Sequence, residues 1–174
     1  MRFFIYLMTD IVKTYPNGGV IEVYRQVDRG TSDYDRIFAC CEYFAVQGKR
    51  VVITPRFTVT TVNPEYRIIY ASLRDTPYWG RCPDFRVDGV WYEHEGFDKK
   101  KDLNDPKKRV NTFGKMIKRG IKQSDRVIVE DCNIGRFYAK RNIFNRVHVE
   151  KQNITEVYIR TENGLELLYS KEEG

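Results

Sequence analysis

Pro83-Asp84-Phe85-Arg86-Val87-Asp88-Gly89-Val90-Trp91-Tyr92-Glu93-His94-Glu95 is the stretch on which the fold turns. Two short runs rich in β-branched and aromatic residues flank Asp88-Gly89, a dipeptide suited to the positive-φ positions of a tight hairpin turn. The second strand therefore folds back beside the first. Side chains alternate across a strand, so Glu93 and Glu95 share one face and His94 takes the other. Asp84 opens the first strand near the level of Glu93, and three carboxylates are expected to converge there. Carboxylates that close repel one another unless a divalent cation neutralises them, and oxygen donors suit Mg²⁺ or Mn²⁺. A metal held this way polarises a phosphodiester and lowers the pKa of an attacking water. A solvent-facing hairpin whose acids pair with nearby Arg and Lys fits the same spacing.

Working outward, the chain alternates strand and helix signals. Strands are expected at 3–7, at 20–24 after the turn-forming Tyr15-Pro16-Asn17-Gly18-Gly19, and at 50–54 in the β-branched run closed by Pro55. Between the last two, Thr31-Ser32-Asp33 offers helix caps, and Tyr34, Ile37, Phe38, Cys41 and Phe44 follow at helical spacing up to Gly48. Residues 55–80 read as loop, with a strand or short helix near 66–73. A helix over 110–121, a strand at 126–130 and a basic helix over 133–145 come next. A short strand at 147–149 and a hairpin around Asn163-Gly164 close the series. This order implies an α/β fold with a mixed sheet flanked by helices.

The chain has 174 residues, enough for one domain with a core, and 14% aromatic content argues against a disordered tail. No apolar run approaches the roughly 20 residues of a membrane helix. At the start, Thr9-Asp10 interrupts the apolar run and no small-residue cleavage site follows, so a buried first strand fits better than a signal peptide. Four cysteines without a C-x-x-C pair suit reduced thiols in a cytoplasmic protein better than a zinc site or a disulfide scaffold. Cys40 and Cys41 fall on an apolar helix and read as core. His94 and His148 read as packed or surface histidines more readily than as catalytic bases.

The net charge of +6 is regional. Residues 1–97 hold 12 Lys/Arg and 12 Asp/Glu, residues 98–146 hold 15 and 6, and residues 147–174 hold 3 and 6. One segment thus carries the whole imbalance, and Lys99, Lys100, Lys101, Lys115, Lys118 and Lys122 are its candidate phosphate-binding cations. A solvated helix face is the plainer reading of such lysines. The aromatic group Tyr78, Trp79, Phe85, Trp91 and Tyr92 offers rings for stacking unpaired bases or for the core.

Taken in order, these parts resemble the PD-(D/E)xK nuclease superfamily. Within it the chain looks most like the C-terminal tRNA-nuclease toxin domains of bacterial contact-dependent inhibition proteins and their relatives on mobile elements. The resemblance runs from about Gly18 to Glu166. It takes in the strand holding Glu22, the helix before Gly48, the strand ending at Pro55, and Pro83-Asp84 with Glu93. A helix ending near Gln123-Ser124-Asp125 and the strand 126–130 complete it. It implies a restriction-endonuclease-like mixed sheet, a single nuclease-like domain over 1–174, and Mg²⁺- or Mn²⁺-dependent hydrolysis of phosphodiesters in tRNA or DNA. Asp84 and Glu93 resemble the metal-binding acids, Glu22 a further acid, and Gln123 a helix glutamine placed near the site. Partners implied are nucleic acid and an immunity or accessory protein, with no membrane. One position departs from the pattern: the family's lysine, two residues past the glutamate, is here Glu95. A carboxylate binds metal or acts as a base, but it supplies no positive charge to the transition state. Either Lys99–Lys101 or Lys122 reaches in, or Glu95 supports another metal arrangement, or the protein binds nucleic acid or a protein partner without cutting.

Overall fold

The computed structural model describes residues 8–98 and 102–173. The architecture is α/β: among the described residues eight strands form a mixed sheet whose strand order follows the chain, with helices packed on it. The chain divides into two compact units, Met1–Tyr92 and Glu93–Gly174.

In the first unit, β1 (Thr9–Thr14) pairs antiparallel with β2 (Val20–Tyr24), and β2 pairs parallel with β3 (Arg50–Ile53). The crossover between them is α1 (Ser32–Ala45), capped by the Thr31 hydroxyl, which accepts from the Tyr34 N–H at 3.1 Å. β4 (Phe85–Val87) returns antiparallel to β3 and turns through Asp88 and Gly89, at φ of 47° and 86°, into β5 (Val90–Glu95). β3 is apolar at three successive buried positions, the mark of a strand covered on both faces. On one face Ile37, Cys41 and Phe44 of α1 meet Ile53, Phe85 and Tyr92. On the other, α2 (Pro64–Ile69) and a 3₁₀ turn at Ala71–Leu73 bring Tyr66 and Tyr70 against Trp91 and Val52.

In the second unit, the end of β5 pairs parallel with β6 (Arg126–Glu130), β6 pairs parallel with β7 (Glu156–Thr161), and β7 pairs antiparallel with β8 (Gly164–Ser170). α3 (Pro106–Gly120) packs on β6 and α4 (Arg136–Phe144) on β8. Their core is mainly aliphatic: Met116, Ile117, Val127, Val129, Ile143, Val157 and Ile159 surround Phe113, with Phe97 and Tyr169 packed half-buried against them.

Two expected elements differ. The first described strand is Thr9–Thr14, which begins at the Thr9-Asp10 pair that interrupts the apolar run; among the described strands it pairs on one side, and such a strand tolerates polar residues that a central one would not. The expected strand at 3–7 lies outside the described residues. Residues 147–149 are not a strand, because the turn after α4 continues as a π-helical turn, Asn145–Val149, with Val149 exposed. Among the described residues no helix is long and apolar enough to cross a membrane.

Candidate functional site

Asp84 stands at a pinned corner of the first unit. The Thr54 N–H donates to its carbonyl at 3.0 Å, the Thr54 hydroxyl donates to Pro83 O at 2.7 Å, and the Tyr70 hydroxyl donates to Pro55 O at 2.7 Å. The carboxylate is 2% exposed and accepts from Arg56 Nη2 at 3.0 Å. Beside it, at the carboxyl ends of parallel β2 and β3, a cavity of about 260 Å³ is lined by Gln26, Thr31, Tyr34, Ile53 and Arg56. Glu22 is engaged on both oxygens: Arg50 donates to each, at 2.7 and 3.0 Å, and the Thr9 hydroxyl adds a third bond at 2.8 Å. The Arg50 hydrogen bonds hold its carboxyl below the usual carboxylate range, outweighing partial burial.

In the second unit, strand alternation sets Glu93 and Glu95 on one face, level with Val127 and Val129 of β6. This is the face that α3 covers. Gly120 allows the approach, since a Cβ there would meet Val127 Cγ1 at 2.4 Å and Glu95 Cγ at 3.3 Å. Glu93 is buried, 4% exposed. Glu95 accepts from Arg119 Nε at 2.8 Å, and Arg119 Nη2 donates to Gly96 O at 2.6 Å. An arginine from α3 therefore stands against the Glu95 carboxylate. Lys99, Lys100 and Lys101 lie outside the described residues, and Lys122 is exposed just past the helix end. Gln123 is half-buried, and its amide oxygen is buried with no hydrogen-bond partner among the described residues.

His94, on the opposite strand face, is packed. Its Nε2 lies 2.8 Å from Glu130 Oε1, and Arg160 Nη1 donates to both Glu130 oxygens at 2.8 Å. Burial raises the Glu130 carboxyl, but the His94 hydrogen bond and the Arg160 charge outweigh it and leave it lowered. Cys40, Cys41 and Cys132 are core thiols, and burial pushes Cys41 far above its ordinary value.

Among the described residues, no group of three or more His, Cys, Asp or Glu side chains is placed to hold a metal ion. Glu93 and Glu95 share a strand face, whereas Asp84 and Glu22 belong to the first unit. Carboxylates are the donor type a hard cation of the Mg²⁺ type takes, commonly one or two of them with water and phosphate oxygens completing the shell, and Glu95 is here paired with Arg119.

The outer face of α3 is cationic. Lys107, Asn111, Lys115 and Lys118 follow at helical spacing, Lys122 extends the row, and all five are exposed. No acid occurs in α3. A shallow groove of about 250 Å³ runs beside it, lined by Asn111, Lys115, Lys118, Asn142 and Arg146. Arg146 fixes the groove by donating to Gly114 O at 3.0 Å and Asn142 Oδ1 at 2.9 Å.

Of the two uses open to the first aromatic group, stacking or core, the structure shows the core. Phe85, Trp91 and Tyr92 are buried, and Tyr78 and Trp79 pack half-buried against the aromatic core. Among the described residues the exposed rings are Phe137, Tyr138 and Phe144 of α4, which sequence reasoning passed over. The signal was present: aromatic residues interleaved with Lys140 and Arg141 inside the basic segment.

No family model matches the chain, and no curated protein matches it. Among solved structures, a chain of the CdiA-CT/CdiI toxin and immunity complex from Burkholderia pseudomallei is similar at 12% identity and a TM-score of 0.46, covering 92% of this chain and 96% of that one.

Proposed function

We propose that the protein binds nucleic acid along α3 and hydrolyses its phosphodiester backbone at Glu93 and Glu95, with Mg²⁺ or Mn²⁺ as the implied cation. The observation that carries this reading is the double use of α3. Its outer lysines suit a row of phosphates, and Arg119 of the same helix is held at the buried strand carrying both glutamates. Hydrolysis adds water across a P–O bond, leaving a phosphate on one end and a hydroxyl on the other, and negative charge grows on the phosphoryl oxygens on the way. A bound divalent cation would neutralise part of that charge and acidify the attacking water. Arg119, oriented by Glu95 and Gly96 O, holds a fixed guanidinium ready for the remainder, the task that the resemblance gives to a lysine. Lysines 115, 118 and 122 hold the flanking phosphates.

Cleavage of tRNA and of single-stranded DNA, followed on gels with Mg²⁺, Mn²⁺ or EDTA, tests the reading. Glu93→Gln should abolish cutting, and Arg119→Ala should slow it about 10²- to 10³-fold, the usual effect of losing one such donor. A second reading, binding without cutting, draws on the commitment of Arg119 to Glu95. It prevails if wild-type protein retains salt-dependent binding but releases no fragments with either metal.

A further inference from the structure

We propose that the exposed face of α4 is a stacking platform for unpaired bases, so that the nucleic acid taken is a single strand or a loop rather than a duplex. This rests on the nucleic-acid reading above and names the class of strand. α4 buries Ala139 and Ile143 and turns its large rings outward: Phe137 is 70% exposed, Tyr138 56% and Phe144 57%. Phe137, Lys140, Arg141 and Phe144 fall at i, i+3, i+4 and i+7, which is one stripe of the helix. Two rings about 10 Å apart along the axis thus have two cations between them. The π-helical turn extends the stripe, setting the His148 ring 4.4 Å from that of Phe144. Tyr138 packs edge-on to Phe137 at 5.5 Å and borders a mostly apolar groove of about 640 Å³ shared with Lys107, Val110 and Asn111 of α3. Tyr138 thus links the ring-bearing stripe, through its contact with Phe137, to the start of the lysine row.

Charge chooses the occupant. Neither α3 nor α4 contains an acidic residue. A partner must present negative charge at short intervals together with flat apolar faces, and an unpaired nucleic-acid strand has both. A duplex keeps its bases stacked inside and shows side chains mainly phosphates and groove edges. Base-on-ring stacking is tolerant of sequence because every base has a π-face.

Fluorescence anisotropy in EDTA separates the possibilities, using a labelled oligo(dT), a U-rich RNA of the same length and a matched duplex, each at several salt concentrations. Phe137→Ala/Phe144→Ala should weaken single-strand binding about five- to a hundredfold per ring, leave duplex binding within about twofold, and leave the salt slope unchanged. Phe144→Trp should restore single-strand affinity. Lys115→Ala/Lys118→Ala/Lys122→Ala should weaken strand and duplex alike and flatten the slope by about 0.7 to 0.9 per lysine. Equal affinity of the ring variants and wild type for single strands overturns the platform and leaves the nucleic-acid reading standing. Absence of salt-dependent binding to any of the three probes overturns both. Wild-type binding to anionic lipid vesicles that the ring variants lose, with no strand bound, reassigns the face to a membrane surface.

Discussion

Among the described residues, the aromatic side chains of the first unit are buried or half-buried, and three of those in the second are exposed. In the first unit Tyr66, Tyr70 and Trp91 stack in series, with ring centroids 4.8 and 4.9 Å apart, and Phe85 lies almost parallel to Tyr92 at 5.6 Å. In the second, aliphatic side chains fill the core and Phe137, Tyr138 and Phe144 are left to solvent beside lysines and arginines. Aromatic content therefore says little about function until each ring has been placed. The acids invite the same comparison. Glu22, Asp84 and Glu95 each meet an arginine, but only that of Glu95 comes from a helix that also carries a cationic outer row.

The contrast is broken most forcefully at Tyr70. Tyr70→Ala removes a fully buried ring, two stacking partners and a hydrogen bond, and should lower unfolding stability by about 3–5 kcal/mol in a denaturant titration. A loss under about 1 kcal/mol would show that the inward rings are not the core of their unit. Gly120→Ala comes next. The added methyl would overlap Val127, and overpacking of this kind costs about 1–3 kcal/mol. It should also displace Arg119 from Glu95, so nucleic-acid cleavage should fall by more than the loss of folded protein explains.

A smaller effect is expected at Glu130, seen only in acid. Its carboxyl is held below the ordinary 4.5 in the folded protein, so an unfolded chain binds that proton more readily. The stability it contributes is present above about pH 4.5 and is lost as pH falls through the lowered value. Thermal melts of Glu130→Gln against pH should therefore show a flatter acid limb than wild type; parallel limbs would deny the His94–Glu130–Arg160 cluster that role. The smallest effect is that of Phe144→Ala on stability, within about 0.5 kcal/mol, as for a surface substitution. A larger loss would place that ring in the fold and out of the platform.

Local chemistry made much of this fold readable. Asp88-Gly89 fixes its hairpin through two positive φ angles, and the strands beside it, 85–87 and 90–95, lie where alternation places them. α1 begins at its Thr31 cap. β1 was hidden because its pattern is half polar, and the residues after α4 because Val147 and Val149 imitate a strand while the helix runs on as a π turn. The shared face of Glu93 and Glu95 was likewise legible from a period of two. Their electrostatic partners were not: Arg50 lies 28 residues from Glu22, Arg56 lies 28 from Asp84, and Arg119 lies 24 from Glu95. Such pairs depend on chain crossings that no local pattern records.

The missing side chain at Gly120 also makes α3 a ruler with a fixed zero. Seated on Val127 at that end, the helix cannot slide along β6, because Met116 and Ile117 one turn back are too bulky for the same contact. From Lys107 to Lys118 the helix rises about 16 Å. Affinity should therefore climb with oligonucleotide length up to about that span and then level off, the far lysine being reached last.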